Sequence, residues 1–251
     1  PPIPNFDVGS VYHPTRLALA SEVVKFVGEE VAFVVAETLD QAKDAAEMVE
    51  VDYQILPAVV DAEVAMEDGA PQVWPDRPDN LSFKQEMGDR EATEAAFTAA
   101  KYIVKLRSIV NRSSANTIEA RGTNANYDPA SGHCTVYVGT QGAFGMRKTL
   151  AELIFKDTEN NFRVITGNMG GSFGMKGVYA ETLLTVWASR KLHRPVKWEN
   201  ERTDSILSDY HGRDKISDTE LALDANGKFL GLRVTTIANL GTYLSPLALM
   251  H

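Results

Sequence analysis

Residues 162–191 read FRVITGNMGGSFGMKGVYAETLLTVWASRK. The first five of these residues have the apolar pattern of a buried strand, and the apolar spacing from Val178 to Lys191 predicts a helix. Between them, five of the eleven residues 167–177 are glycine, in a chain that has only 18 glycines. Glycines at a strand-to-helix junction allow positive φ angles and close approach of a ligand, and the N–H groups at a helix start attract anions.

This glycine loop, residues 167–177, has two interpretations. Its spacing matches neither the G-x-G-x-x-G of dinucleotide folds nor a phosphate loop that ends in Gly-Lys-Ser or Gly-Lys-Thr. The loop is either a tight turn whose path alone requires glycine, or a ligand site of another kind. Because Lys176 stands beside the predicted helix start, one hypothesis is an unrelated α/β enzyme that holds a phosphorylated ligand there.

The neighbouring segments predict an α/β fold. A hairpin is expected from 123–127 and 133–138, then a helix containing Met146 and Leu150 with Leu153 and Ile154, and a last strand at 195–199. In the order strand, helix, strand, helix, strand, the loops after the first two strands lie at one carboxyl edge of the sheet. The residues of the last helix expected to face the sheet are Ala180, Leu183, Leu184, Trp187 and Ala188.

Gln141 occupies the other loop of this edge, residues 139–143. Its neutral amide either donates a hydrogen bond to an oxo group of a ligand or caps the helix that follows. A second hairpin, from Ile216 to Leu223 and from Phe229 to Ala238, is expected to extend or flank the sheet. Cys134 falls inside a predicted strand, where a buried and inert thiol is expected.

The first part of the chain predicts a separate domain. Val31 to Ala36 is expected to form a buried strand, Leu39 to Val49 a helix capped by Thr38, and the alternating residues 51–55 a second strand. Prolines and acidic residues crowd the stretch from Pro57 to Asp79, so we place a domain boundary near Pro78. The predicted domains are residues 1–78 and 79–251, and the second begins with a helix at 91–100 and a strand at 102–107.

Composition excludes several classes of protein. The 251 residues carry a formal net charge of −9, which disfavours nucleic acid as a partner. No apolar run approaches the ~20 residues of a membrane span. The single cysteine favours a reducing compartment, so a cytoplasmic location is expected. Because Pro1–Pro4 resembles no initiator segment and His251 follows the apolar run 246–250, we expect a fragment or a split subunit.

Several ordered motifs together resemble the molybdenum-binding large subunit of the xanthine dehydrogenase and aldehyde oxidase family, which includes carbon monoxide dehydrogenase large subunits. They lie at matching separations over nearly the whole chain. The motifs are Gly28–Ala32, Val49–Tyr53, Gly88-Asp89, Glu119–Gly122, Thr140-Gln141 with Arg147, Gly170–Lys176, Arg194–Trp198 and Glu201-Arg202. The resemblance implies the end of an α/β hammerhead domain (residues 1–78) followed by the first part of a molybdopterin-binding domain (residues 79–251).

The resemblance also implies roles for individual residues. Gln141 hydrogen-bonds a molybdenum-bound oxygen, and the pair Phe173-Gly174 lies against the metal and the pterin with backbone N–H groups aimed at the cofactor. Gln141 and Phe173 are the implied catalytic residues, and no residue of this chain is expected to ligate a metal. The implied cofactor-binding residues are Gln141, Gly170, Gly171, Ser172, Phe173 and Gly174, where Ser172 replaces the third glycine of many relatives.

The activity implied by the resemblance is oxidative hydroxylation by molybdopterin, the cytosine dinucleotide form being one option. Water supplies the oxygen, and electrons pass to an iron-sulfur (2Fe-2S) small subunit and an FAD-binding medium subunit. The remainder of the large subunit, which carries the glutamate general base, is a further expected partner. The small-molecule substrate stays open between an aldehyde, an N-heterocycle and carbon monoxide, although Gly177 replaces a substrate-binding glutamate of purine-oxidising relatives. A non-catalytic assembly component of such a complex is the alternative.

Overall fold

The computed structural model describes residues 11–244. The two chain ends that motivated the expectation of a fragment, Pro1–Pro4 and residues 246–251, lie outside them. The chain forms two compact units that interleave along the sequence. The first unit includes Ile55–Ser113 and residues 212–244, and the second unit comprises Arg16–Gln54 and Ser114–His211.

The helices and strands alternate through most of the chain. The helices are α1 (Leu39–Glu47), α2 (Arg90–Ala99), α3 (Ala143–Lys148), α4 (Ala180–Leu192) and α5 (Arg202–Ser208). The strands are β1 (Tyr102–Ser114), β2 (Gly122–Tyr127), β3 (Cys134–Val138), β4 (Phe162–Ile165), β5 (Val196–Glu199), β6 (His211–Leu223) and β7 (Phe229–Ala238). Short 3₁₀ turns lie at Val64–Met66 and Glu159–Asn161, and a π-helical turn at Thr149–Phe155 continues α3.

The second unit contains a four-stranded sheet in the order β4-β3-β2-β5. Strands β2 and β3 form the predicted antiparallel hairpin. β4 pairs in parallel with β3, and β5 pairs antiparallel with β2, so β3, β4 and β5 all run in one direction. The α/β prediction is therefore confirmed, and the loops that follow β3 and β4 share one edge of the sheet.

The predicted strands near the start of the chain are wrong. Helix α1 forms with the Thr38 hydroxyl accepting from the Gln41 N–H at 3.2 Å, as the sequence predicts. Residues 31–36 and 51–55 have no regular secondary structure, and none of them is buried. The alternating pattern indicates only a preference for extended backbone, whereas a strand also needs a hydrogen-bonded neighbour. No described segment pairs with these residues.

Helix α4 buries only part of the predicted face: Ala180 and Ala188 are buried and Leu183 packs partly buried against the core, whereas Leu184 and Trp187 are not among its buried residues. Its polar side packs on β2, where the Thr182 and Thr123 hydroxyls lie 3.0 Å apart and Ser189 accepts from the Tyr127 N–H at 3.0 Å. Small hydroxyl side chains allow this close contact, because each buried hydroxyl finds a partner. Trp187, expected to face the sheet, is 47% exposed. With Leu183 and Leu184 it lines an apolar groove of about 580 Å³, whose other walls are formed by residues 16–19, Phe33, Ile154 and Phe155.

The first unit contains a separate three-stranded sheet in the order β1-β6-β7. Strands β6 and β7 form the predicted antiparallel hairpin, but it pairs with β1 and does not extend the four-stranded sheet. Helix α2 packs on β7, where Gly231 leaves room for the helix, since a Cβ at Gly231 would lie 2.9 Å from the Ala96 Cβ. The sequence pattern could not show which sheet the hairpin joins, because its partner β1 lies about one hundred positions earlier in the sequence.

A buried cluster of charges stabilises the second unit. The Arg121 guanidinium donates to Asp209 Oδ1 at 2.7 Å and to Glu181 Oε1 at 2.8 Å, and it lies 3.7 Å from the centre of the Tyr179 ring. Ser208 accepts a further bond from Arg121 at 2.7 Å. Burial raises the pKa of Glu181 even though Arg121 acts to lower it. Arg121 thus connects the start of β2 with the first turn of α4 and the end of α5.

Replacing Arg121 with methionine is expected to lower the free energy of unfolding by about 3–5 kcal/mol, because two carboxylates stay buried without their cation. Urea denaturation of the chain measures the change. Arg194→Met is the matched control, since Arg194 pairs with Glu37 at 3.2 Å where both side chains are more than two-thirds exposed. The control is expected to cost at most about 1 kcal/mol. Equal losses in the two variants would contradict the role given to Arg121.

Candidate functional site

The loops that follow β3 and β4 are joined by hydrogen bonds at the carboxyl edge of the sheet. Thr140 donates its N–H to the Thr166 hydroxyl at 3.4 Å, and its own hydroxyl donates to the Lys176 carbonyl at 3.3 Å. The Gln141 N–H donates to the same carbonyl at 3.4 Å. The predicted meeting of residues 139–143 with the glycine loop is therefore confirmed. All six predicted site residues, Gln141 and Gly170–Gly174, lie in these two loops.

The Gln141 side chain contacts the glycine loop. Its Oε1 accepts from the Gly174 N–H at 2.7 Å and from the Ser172 hydroxyl. A backbone N–H only donates, so the atom facing Gly174 must be the amide oxygen, and Nε2 points away as a donor. No described residue accepts a hydrogen bond from Nε2. The capping interpretation is wrong, because the N-cap of α3 is Gly142 and no side chain caps that helix.

Ser172 orients Gln141 from beneath the loop. Its side chain is buried, and its hydroxyl donates to Gln141 while accepting from the Lys176 N–H at 3.0 Å. With one bond to Gln141 and one within the glycine loop, this hydroxyl has its donor and one acceptor site engaged. Ser172 therefore holds the Gln141 amide in one orientation, which a glycine at this position could not do.

The glycine loop bends through three residues with positive φ angles: Gly171 at 97°, Phe173 at 52° and Gly174 at 91°. Phe173 is not a glycine, so this left-handed conformation costs on the order of 1 kcal/mol and must be held by its surroundings. Its ring is 80% exposed. Consecutive N–H groups in such a bend form a concave donor surface that suits anions.

The N–H groups of Gly171, Ser172 and Phe173 have no hydrogen-bond acceptor within the part of the chain that the structure describes. We call these three groups the loop donors. The Gly170 and Gly174 N–H groups differ, since they donate within the protein, to Glu119 and to Gln141. The resemblance implied that N–H groups of the pair Phe173-Gly174 face the cofactor. In this structure only Phe173 of that pair keeps its N–H unengaged.

Close packing requires glycine at Gly170, and the positive φ angle favours glycine at Gly171. A Cβ at Gly170 would lie 2.6 Å from the Glu119 Cβ, and one at Gly171 would lie 3.1 Å from the Phe173 ring. A Cβ at Gly167 or Gly177 would meet nothing within 4 Å. The backbone path and the close approach to Glu119 therefore both limit which residues this loop can hold at positions 170 and 171. Positions 167 and 177 are not limited by packing.

Glu119 and Lys176 lie behind the loop. The Lys176 side chain is 1% exposed, and its Nζ lies 3.3 Å from Glu119 Oε2. The hydrogen bond from the Gly170 N–H and the nearby Lys176 ammonium hold the pKa of Glu119 below its usual range. Because the ammonium is buried beside Glu119, it is not offered to a phosphate at the start of α4. The hypothesis of a phosphate site built on Lys176 is therefore wrong in its choice of residue.

Sequence reasoning did not assign a role to Glu119 or Thr166. Glu119 lies 51 positions before Gly170, so no local pattern connects them. The one available signal was the acidic first residue of the motif Glu119–Gly122.

The other candidate residues that the structure describes, Cys134 and the possible metal ligands, form no functional site. Cys134 is buried, as expected, and burial raises its thiol pKa to about 11, which disfavours the reactive thiolate form. In residues 11–244 no group of three or more His, Cys, Asp or Glu side chains is arranged to hold a metal ion. Over the same residues, no helix combines the length and the apolar character needed to cross a membrane.

Comparison with known protein families identifies the chain. The model of the molybdopterin cofactor-binding domain matches residues 73–250, and the model of the aldehyde oxidase and xanthine dehydrogenase a/b hammerhead domain matches residues 2–57. The chain therefore belongs to the molybdopterin cofactor-binding family, and the proposal of an unrelated enzyme is excluded. Between the two matched regions lie residues 58–72, and the boundary near Pro78 stays a prediction.

Among curated relatives, the carbon monoxide dehydrogenase large chain of Afipia carboxidovorans is 35% identical over an alignment of 250 positions, which covers 92% of this chain and 31% of the relative. The 6-hydroxypseudooxynicotine dehydrogenase complex subunit gamma of Paenarthrobacter nicotinovorans is 34% identical, over 92% of this chain and 28% of its own length. This chain thus spans about three-tenths of the length of these relatives.

Solved structures agree with the family. A crystal structure of Cu,Mo-CO dehydrogenase in the carbon monoxide reduced state superposes with a TM-score of 0.83 at 35% identity, over 88% of this chain and 29% of that one. Quinoline 2-oxidoreductase from Pseudomonas putida 86 gives a TM-score of 0.80 at 29% identity, over 92% and 29% of the two chains. The hammerhead and molybdopterin-binding fold expected from the sequence is confirmed.

Replacing Gly170 with alanine is expected to displace the glycine loop from Glu119 and to cost about 1–3 kcal/mol of stability, because the methyl group overlaps the Glu119 Cβ. Gly167→Ala, in the same loop but facing open space, is the control and is expected to change stability by less than about 0.5 kcal/mol. Urea denaturation and amide hydrogen exchange of residues 167–177 measure both variants. Similar exchange rates in the two variants would show that the packing at Gly170 is not needed.

Proposed function

We propose that this chain supplies one wall of the molybdenum cofactor site in the large subunit of a molybdenum hydroxylase. The observation that carries the proposal is the orientation of Gln141, whose amide oxygen is engaged by Gly174 and Ser172 while Nε2 is left as an outward donor. The loop donors lie in the same glycine loop that holds this amide. The wall thus combines a neutral amide with several backbone N–H groups.

The donor set fits the cofactor. Backbone N–H groups and an amide N–H suit the oxygen and anionic groups of a pterin cofactor, whereas the two loops offer no thiol or imidazole to bind the metal. The pterin-bound molybdenum supplies the redox chemistry, and the protein supplies binding, orientation and electrostatics. Gly170 lets the loop lie directly against Glu119, since a Cβ there would lie 2.6 Å from the Glu119 Cβ.

Each site residue has a distinct task in this proposal. Gln141 Nε2 donates to an acceptor atom of the bound cofactor, and Ser172 and Gly174 keep the amide from flipping. The exposed Phe173 ring provides an aromatic wall against the cofactor and the substrate. The left-handed backbone at Phe173 directs that ring outward, so the strain at this residue serves the site. Gln141 and Phe173 are the proposed catalytic residues.

The proposed reaction is oxidative hydroxylation of a small substrate, with water as the source of oxygen. Relatives named nicotine 6-hydroxylase, indole-3-acetaldehyde oxidase and carbon monoxide dehydrogenase support an N-heterocycle, an aldehyde or a similar small molecule as the substrate class. The general base comes from outside this chain. We further propose a cytoplasmic complex with the remainder of the large subunit, an FAD-binding medium subunit and an iron-sulfur small subunit, and the cytosine dinucleotide form of the cofactor.

The proposal is tested by elemental analysis of the natively purified complex that contains this chain. About one molybdenum atom per chain, together with iron, is the expected result. A complex that retains its partner subunits but holds no molybdenum would overturn the proposal. That outcome would instead favour a non-catalytic assembly component.

Replacing Gln141 with methionine removes the amide at nearly constant volume and is expected to lower kcat by a factor of about 10²–10³, since a preorganised donor is lost. Ser172→Ala, which removes one of the two bonds that orient the amide, is expected to give a smaller loss. Turnover of the loaded complex is measured together with its molybdenum content, so that loss of cofactor is separated from loss of rate. Gln54→Met, at an exposed position, is the control, and a Gln141 variant with the kcat of this control would refute the role.

A further inference from the structure

The ion pair between Glu119 and Lys176 connects three separate segments of the second unit. Glu119 lies in the segment before β2, and Lys176 ends the part of the glycine loop that carries the loop donors. The Glu119 carboxylate accepts the Gly170 N–H, and the Glu119 N–H donates to the Gly170 carbonyl at 3.2 Å. Glu119 therefore holds both backbone groups of the glycine at the start of the bend.

Lys176 holds the other end of the bend and also the Gln141 loop. Its carbonyl accepts from the Gln141 N–H and the Thr140 hydroxyl, and its N–H donates to the Ser172 hydroxyl. Its side chain crosses beneath the loop to Glu119. The lysine side chain runs alongside Gly139, where a Cβ would be in ordinary van der Waals contact with it, at 3.6 Å from Lys176 Cδ and 3.7 Å from Nζ.

Stability alone does not account for this pair. Removing a lysine ammonium from water costs free energy that a pair recovers only with good geometry and further hydrogen bonds. Lys176 Nζ is buried and makes no hydrogen bond of good geometry within the described residues, and Glu119 is half exposed. An apolar side chain would fill this space at lower cost. What the ammonium adds is a fixed position for Glu119, and through Glu119 a fixed position for Gly170.

We propose that Glu119 and Lys176 are positioning residues that hold the glycine loop in its ligand-receiving conformation before the cofactor binds. The loop then presents the loop donors and the Gln141 amide without reorganisation, and less conformational entropy is lost on binding. This inference rests on the proposed function for the identity of the ligand. The conformation of the loop can be measured without any ligand.

The experiment compares three variants of the native complex: Lys176→Met, Glu119→Gln and the double variant. Glu119→Gln retains an oxygen that can accept the Gly170 N–H but removes the charge. Amide hydrogen exchange of residues 167–177 is measured in the molybdenum-free form, and the rate of molybdenum loss and the substrate KM are measured in the loaded form. Lys148→Met with Glu152→Gln is the control, since that pair is exposed and its Nζ and Oε2 lie 3.9 Å apart.

Each single variant is expected to exchange residues 167–177 at least tenfold faster and to lose molybdenum at least tenfold faster, while KM and the exchange of α4 and β2 stay unchanged. The double variant is expected to lose less than the product of the two single effects. Unchanged exchange of the loop in all three variants would overturn the proposal, as would equal acceleration throughout α4 and β2. If Lys176→Met does not fold, loop exchange in the Glu119→Gln variant tests the proposal by itself.

The proposed function and the positioning role of Glu119 and Lys176 can be contradicted independently of one another. A parent complex that holds no molybdenum contradicts the proposed function, and the exchange measurement still tests the positioning role. A parent complex that holds molybdenum, with variants that match the control in both exchange and molybdenum loss, contradicts only the positioning role.

Discussion

The hydrogen bond from the Gly174 N–H to the Gln141 amide oxygen determines what the site offers to a ligand. A free glutamine amide is both donor and acceptor, and rotation about its last bond exchanges the two. Once a backbone N–H engages the oxygen, only the donor end is left outward. The second bond, from the Ser172 hydroxyl, adds to this preference, because flipping the amide would set its NH2 group against the Gly174 N–H and would also break the bond that Oε1 accepts from Ser172.

That bond depends on the arrangement of the strands. Because β3 and β4 are parallel neighbours, the loops that follow them emerge side by side, and Gln141 reaches Gly174 across 33 positions of sequence. Helix α4 follows the glycine loop and packs on β2 through hydroxyl side chains, which brings the helix close to the sheet. Arg121 joins the same helix to β2 and α5. The site therefore rests on a framework in which buried polar contacts supplement the apolar core of the sheet.

Polar packing of this kind explains where the sequence-based predictions were wrong. Apolar spacing on α4 favoured Leu184 and Trp187 as the sheet-facing residues, but the buried positions include Thr182, Thr185 and Ser189. Periodicity identifies an apolar face without indicating what covers it, and on α4 that face lines a groove. Likewise, residues 31–36 have the composition of a strand but no described neighbour to pair with.

The sequence by itself determined most of the helices and the two hairpins, because turn chemistry and capping at Thr38 act over short distances, and its ordered motifs determined the family. It also placed Gln141 and the glycine loop at one edge, since the order of strands and helices constrains their direction. Only the tertiary structure decided that Gln141 faces outward as a donor, that Lys176 is buried against Glu119, and which face of α4 meets the sheet. These features depend on contacts between residues that are distant in sequence, and no local pattern encodes such contacts.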